Sequence, residues 1–319
     1  MRRLGTVFLL LCSCLLFVAC GSVPSSDDGT AATEGEANAE KINVVATIFP
    51  VYDFVREVGG EYVSVTKLLP SGVESHSFEP SPSDIITINE ADLFLYTGDA
   101  MEPWAVTVIE GTDSESLTVG TVSENVPLLR HEEKTDADSD EENYDYDPHI
   151  WTDPTRAMIM VDNIALYLSQ CDPTHADDYL ANAEAYKKEL EALDQEILEI
   201  VSNGSRDKII FGGRFAFLYF VDHYDLEYDA AVDSCSDHSE PSARKIAEII
   251  SEIEEETIPV VYYEELTTPT VAQSICDDTG AKMLLLHSCH NVTEEELEDG
   301  VTYLSLMEQN AANLKEGLD

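Results

Sequence analysis

A long amphipathic segment between two series of strands and helices constrains the fold of this chain more than any other sequence feature. Apolar residues recur at helical spacing from Leu180 to Ile200, and Asn203-Gly204 then supplies a helix stop. At 1.5 Å per residue, a helix of about 28 residues within 174–204 is roughly 40 Å long, which is more than one domain needs. The pattern predicts one rigid linking helix or, alternatively, two shorter helices with a bend.

Short β-branched runs alternate with helical stretches on both sides of this segment. The runs before it are INVVATIFP, VSVTKLLP, ADLFLYTG and SLTVGTVS, and those after it are DKIIFGG, LEYDAAV, TIPVVYYEEL and AKMLLLHS. Continuous apolar strands that alternate with helices are typical of parallel sheets covered on both faces. We therefore predict an α/β fold class with two α/β lobes, at 41–173 and 205–319, joined by a linking helix at 174–204.

The N-terminus has the pattern of an export signal. Two arginines precede the apolar run VFLLLCSCLLFVAC, which predicts a signal peptide at 1–20. Cys20 follows Val-Ala and precedes Gly-Ser, which predicts lipidation of this cysteine, with ordinary secretion as the alternative. Residues 21–40 are small, polar and acidic, as in a flexible tether. We expect the folded part to lie at the cell surface or at the periplasmic face of a membrane, anchored through Cys20.

The net charge of -47 limits the possible partners. It argues against nucleic acid, because binding to phosphates needs Lys and Arg. A negative field attracts divalent cations, although solubility explains the charge equally well. The most acidic segment, 132–147, is predicted to be a surface loop that either collects cations loosely or is only solvated.

Histidines follow predicted strands or turns at three places. These are His76, His149, and the pair His287 and His290 in LLLHSCHN. Ligands of open α/β sheets bind at the carboxyl ends of strands, and imidazole is a common zinc ligand. One such histidine is more often a packed polar residue, but three histidine loops together favour a metal site.

Two segments carry a family resemblance. GVESHSFEPSPSDIITINEADLFLYTGDAMEPW and DPHIWTDP are similar to motifs of the zinc and manganese solute-binding lipoproteins of bacterial ABC importers. The resemblance extends over nearly the whole chain after the tether. It implies a monomeric, lipid-anchored receptor of the zinc-uptake type, with the metal in the cleft between two lobes and an ABC permease as partner. Manganese is the alternative cargo.

The resemblance also implies a ligand set. Its motifs place two ligands at His76 and His149, and its fourth ligand position aligns with His287. Three histidines favour zinc, because manganese sites usually contain more carboxylate. The family's third ligand, a His or Glu, aligns with Arg214, which stays charged and does not bind metals. Pairing with a carboxylate is an alternative role for Arg214, and the fourth ligand position is open to water or to one of the candidates His290, Cys289 and Glu264.

Four cysteines besides Cys20 remain after the signal segment, and they allow three full pairings. Cys235 and Cys289 both follow predicted strands at the presumed cleft, so we expect a disulfide between them that pins the His287 loop. The alternative is that Cys289 binds the metal, which would favour zinc strongly.

Two other functional classes are open on the sequence. A lipid-anchored zinc hydrolase would use the open metal position and a general base, but no H-E-x-x-H segment is present. We therefore expect no enzyme activity. A surface adhesin is the third class, and adhesion is compatible with metal binding.

Overall fold

Two four-stranded parallel sheets with the same strand order form the framework of the chain. The computed structural model describes residues 41–73, 75, 78–112, 114, 116–130, 146–232 and 241–319. The first sheet has the order β2-β1-β3-β4, with β1 Ile42–Ala46, β2 Val63–Lys67, β3 Leu93–Tyr96 and β4 Thr118–Thr121. The second has the order β6-β5-β7-β8, with β5 Lys208–Arg214, β6 Glu227–Val232, β7 Val260–Tyr263 and β8 Lys282–Leu285.

Helices connect these strands and cover the sheets. Those of the first half are α1 Phe49–Gly59, α2 Pro82–Asn89, α3 Pro103–Glu110 and α4 Pro154–Cys171. The helix between the halves is α5 Ala176–Asn203. Those of the second half are α6 Leu218–Tyr224, α7 Ala243–Glu256, α8 Thr270–Thr279, α9 Glu294–Glu298 and α10 Tyr303–Leu318. None of these described helices combines the length and apolar character needed to cross a bilayer.

The predicted α/β architecture is confirmed, and so is the linking helix. All eight predicted runs form strands, and α5 is one continuous helix of 28 residues rather than two with a bend. It begins after a short 3-10 turn at Pro173–His175. Because every strand pairing among the described residues is parallel, the carboxyl ends of the strands in each sheet lie at one edge, where ligands of such folds bind.

The two halves share an apolar core around α5. Side chains from α1, α5 and α10 meet there, and the rings of Phe54 and Tyr303 pack edge to face with their centroids 4.8 Å apart. Phe54, Trp151 and Tyr303 are all fully buried. Aromatic side chains of this size contribute much of the burial that holds elements together. The halves are therefore joined by packing as well as by the chain.

A buried carboxylate connects α1 to the start of α10. Asp53 accepts a hydrogen bond of 2.7 Å from the backbone N–H of Tyr303 and a longer one of 3.4 Å from Arg56. Burial raises the pKa of Asp53 to about 6, although the Tyr303 hydrogen bond acts in the opposite direction. The contact thus caps α10 at the cost of burying an ionisable group.

Replacing Asp53 should change how stability depends on pH. The pKa of Asp53 is about 6 in the folded chain and 3.8 as an ordinary carboxyl, so between these values only the folded state retains the proton. The free energy of unfolding therefore falls as pH rises through this window. The Asn side chain of Asp53→Asn cannot ionise. Denaturant titrations should therefore show that its free energy of unfolding, relative to that of the wild type, increases by on the order of 2 kcal/mol between pH 4 and pH 7. Parallel curves for the two proteins would contradict this expectation, and Asp278→Asn, at an exposed position of α8, serves as the control.

Candidate metal centre

The His149 turn fixes one imidazole in a fully buried position. His149 is 0% exposed, and its Nδ1 lies 2.9 Å from Oδ1 of Asp147. The same oxygen accepts the backbone N–H of His149 at 2.8 Å. Because an ionised carboxylate only accepts hydrogen bonds, Nδ1 carries the proton, and Nε2 is the nitrogen with a lone pair. This carboxylate–histidine arrangement is common among metal-binding histidines.

The second half of the chain holds this turn in place. The hydroxyl of Tyr219 donates a hydrogen bond of 2.6 Å to the carbonyl of Asp147. The indole N–H of Trp151 donates one of 2.7 Å to the carbonyl of Ser288, in the loop after β8. The hydroxyl of Tyr303 donates one of 2.5 Å to the carbonyl of Trp151. His149 is thereby set against the carboxyl end of the second sheet.

His290 meets His149 from the opposite half. Their ring centroids are 4.6 Å apart and the rings are nearly perpendicular, at 84°. The His290 ring also lies 5.2 Å from the indole of Trp151, and the backbone N–H of Phe49 donates to the His290 carbonyl at 3.2 Å. One histidine from each half thus lies at the same point, at the strand-end edge where the fold predicts a ligand.

His287, the ligand expected from the sequence, makes two local hydrogen bonds. Its backbone N–H donates to Oδ1 of Asn310 at 2.7 Å, and its Nδ1 accepts the backbone N–H of Cys289 at 2.9 Å. Its Nε2 is buried and has no hydrogen-bond partner among the described residues. An Nδ1 that accepts a hydrogen bond leaves the ring proton of a neutral imidazole on Nε2, which is unfavourable for binding a metal through that nitrogen. The geometry therefore favours His290 over His287.

Several predicted site residues lie outside the described part of the chain. His76, Cys235 and Cys20 are among them, as are residues 132–145 of the acidic loop. Within the described ranges, no group of three or more His, Cys, Asp or Glu side chains is arranged to hold a metal. The His149–His290 pair is therefore the described part of the candidate site.

Cys289 is a buried, free thiol. Its Sγ donates to the carbonyl of His287 at 3.6 Å, and burial raises its pKa well above the usual value. Because the thiolate is the form that binds metals, this environment disfavours Cys289 as a ligand. The free thiol also argues against the predicted disulfide with Cys235. Cys289 has a φ of 61°. The chain turns at this residue and brings His290 next to His149.

The sequence matches a known family over most of its length. The model of the ZnuA family, described as zinc-uptake complex component A, periplasmic, matches residues 44–317. The chain belongs to the ZnuA family. The high-affinity zinc uptake system protein ZnuA of Bacillus subtilis is 30% identical over 321 residues, which cover 99% of this chain and 98% of that protein.

Longer relatives and solved structures agree with this membership. The zinc-binding lipoprotein AdcA of Streptococcus pneumoniae serotype 4 is 31% identical over the whole chain, which spans 62% of AdcA. The crystal structure of the Zn(II)-bound ZnuA-like domain of Streptococcus pneumoniae AdcA superposes with a TM-score of 0.75 at 30% identity, covering 88% of this chain and 99% of that domain. The two-lobed α/β fold predicted from the sequence is thus shared with the ZnuA family.

Arg214 stands at the position where the resemblance leads us to expect a metal ligand. It is the last residue of β5, and its Nε donates to Oε1 of Glu264 at 2.7 Å, so the predicted pairing with a carboxylate is confirmed. Burial raises the pKa of Glu264 to about 7, while the positive charge of Arg214 acts to lower it. The ion pair therefore occupies Glu264, one of the candidate ligands, next to His149.

Breaking this pair should destabilise the chain in a pH-dependent way. Arg214→Met leaves Glu264 buried without its counter-charge, so denaturant titrations at pH 8 should show a loss of about 2–4 kcal/mol. The loss should be smaller near pH 5, because a Glu264 with a raised pKa takes up a proton in the folded state. The double variant R214M/E264Q should recover most of the loss. Arg244→Met is the matched control, since Arg244 pairs with Glu248 at a site where the two side chains are 87% and 58% exposed, and unchanged stability of Arg214→Met would contradict the expectation.

Proposed function

We propose that this chain is a lipid-anchored, extracytoplasmic receptor that captures Zn²⁺ and delivers it to an ABC permease. The observation that carries the proposal is the meeting of His149 and His290, one from each half, with ring centroids 4.6 Å apart. Relatives named as a zinc-binding lipoprotein and as a high-affinity zinc uptake system protein support zinc as the cargo.

The proposed ligands are the Nε2 atoms of His149 and His290, together with His76 from the sequence motif. His290 replaces His287 in the set expected from the sequence, because the Nδ1 of His287 already accepts a hydrogen bond. An imidazole-rich site suits a borderline ion such as Zn²⁺ better than Mn²⁺, which prefers oxygen ligands. Manganese is thus the less favoured cargo.

The carboxylates next to these histidines support binding rather than hydrolysis. A zinc hydrolase needs a carboxylate that can take a proton from metal-bound water. Asp147 is hydrogen-bonded to His149, Glu264 to Arg214 and Glu265 to Ser288. Each of these three carboxylates therefore has a structural partner, and we propose that the chain has no enzyme activity.

The location and the assembly follow from the sequence and are proposed on that basis. The signal pattern and Cys20 support a lipid anchor at the cell surface or at the periplasmic face of a membrane, and the lipoprotein name of AdcA agrees with it. We propose that the receptor acts as a monomer. Adhesion stays a prediction from the sequence.

Histidine substitutions should separate the proposed ligands from their neighbours. In competition titrations of chelator-stripped protein, His149→Ala and His290→Ala should each weaken zinc binding by at least 100-fold, because each removes a ligand. His287→Ala should retain affinity within several-fold, provided that circular dichroism shows an intact fold. His175→Ala, at the turn before α5, is the matched control. Loss of binding in His287→Ala with retention in His290→Ala would place the site at His287, and tighter binding of Mn²⁺ than of Zn²⁺ would refute zinc as the cargo.

A further inference from the structure

A chain of short hydrogen bonds ends at the ring of His290. Oε2 of Glu265 accepts the backbone N–H of Ser288 at 2.7 Å, and Oε1 lies 2.5 Å from Oγ of Ser288. The same Oγ lies 2.5 Å from Nδ1 of His290. Ser288 is 1% exposed, and the side chain of Glu265 is 9% exposed. These contacts are therefore largely shielded from water.

The direction of each bond follows from counting protons. A carboxylate only accepts hydrogen bonds, so the single hydroxyl proton of Ser288 points to Oε1 of Glu265. Oγ then has only lone pairs to offer His290, and the ring Nδ1 must donate. The backbone N–H of His290 also points at this Oγ, at 3.4 Å, which agrees with an accepting oxygen. A neutral His290 consequently has its proton on Nδ1 and its lone pair on Nε2.

We propose that Glu265, acting through Ser288, is a positioning residue that fixes the Nδ1–H tautomer of His290 and so presents Nε2 to the metal. The inference rests on the proposed function for its metal, while the tautomer itself is a property of the metal-free protein. Glu265 is not assigned as a ligand, because both of its oxygens are engaged by Ser288. The nearby Nδ1 of His287, at 3.6 Å from Oε1, is beyond hydrogen-bond distance.

Other contacts hold the hydrogen-bonded chain Glu265–Ser288–His290, which we call the relay, in one arrangement. The carbonyl of Ser288 accepts the indole N–H of Trp151 at 2.7 Å, and the carbonyl of His290 accepts the N–H of Phe49. The backbone on both sides of Cys289 is therefore tied to the first half of the chain. Because the backbone is fixed, a substitution in the relay can change the acceptor to which the Ser288 hydroxyl donates its proton.

Glu265→Gln should reverse the donor and acceptor roles along the relay, with little change in side-chain shape. The backbone N–H of Ser288 still needs an acceptor, so the Gln carbonyl takes that place and its NH₂ group faces Oγ. Oγ then accepts from the amide and donates its own proton to Nδ1 of His290. We expect ¹⁵N chemical shifts of the His290 ring in the metal-free protein to show Nδ1–H in the wild type and Nε2–H in Glu265→Gln.

Zinc affinity at fixed pH is the second readout. Loss of a partner that orients a ligating histidine typically weakens metal binding by 10–100-fold, and we expect this loss in Glu265→Gln and in Ser288→Ala. Ser288→Thr, which keeps the hydroxyl, should bind more tightly than Ser288→Ala. The matched controls are Ser251→Ala and Glu255→Gln, because these residues form an exposed Ser–Glu hydrogen bond on α7. Neither control should change the His290 tautomer or zinc affinity.

The outcomes separate the relay from the function on which it rests. A wild-type His290 with the proton on Nε2, or a Glu265→Gln protein with unchanged tautomer and affinity, overturns the relay. A wild-type protein that shows the Nδ1–H tautomer but binds no zinc overturns the proposed function and the metal role of the relay together. The reversed tautomer combined with weakened zinc binding in Glu265→Gln supports the proposal.

Discussion

The hydrogen bond from the Trp151 indole to the Ser288 carbonyl is the contact on which the candidate site most depends. It joins a turn of the first half to a strand-end loop of the second, and both residues are almost fully buried. Either group left without a partner in this interior would cost about 1–3 kcal/mol. His149 lies two residues before Trp151, and His290 lies two residues after Ser288. The separation of the two imidazoles is thus set by one buried bond and the short backbone segments on either side of it.

The acidity of the chain and the chemistry of the site have different origins. A net charge of -47 gives the molecule a long-range attraction for cations. At the site itself, the negative charge of Glu264 is offset by Arg214, and Asp147 is hydrogen-bonded to His149. Attraction toward the surface is therefore general for cations, whereas in the proposed site the selection of the metal rests on the imidazole nitrogens. An arginine next to the histidines is tolerated because a buried carboxylate accompanies it.

Periodic features of the structure were predictable from the sequence, and features that depend on distant contacts were not. The strand runs and the helix stop at Asn203-Gly204 follow from local pattern, and both are observed. The shared order of the two sheets depends on pairings between segments far apart in the chain. The proposal of His290 rather than His287 rests on hydrogen bonds in a loop where Cys289 has a positive φ. Non-glycine residues seldom adopt that conformation, so sequence pattern gives no sign of it.

A site built from histidines has a requirement that a carboxylate site lacks. A carboxylate can bind a metal through either oxygen, but a neutral imidazole can do so only through the nitrogen without a proton. In this chain each of the paired histidines has its Nδ1 held through a carboxylate, directly by Asp147 for His149 and through Ser288 by Glu265 for His290. Neutral ligands also leave the charge of Zn²⁺ uncompensated. In the proposed site, the same two carboxylates, one or two hydrogen bonds behind the histidines, would supply that negative charge and leave the Nε2 atoms to bind the metal.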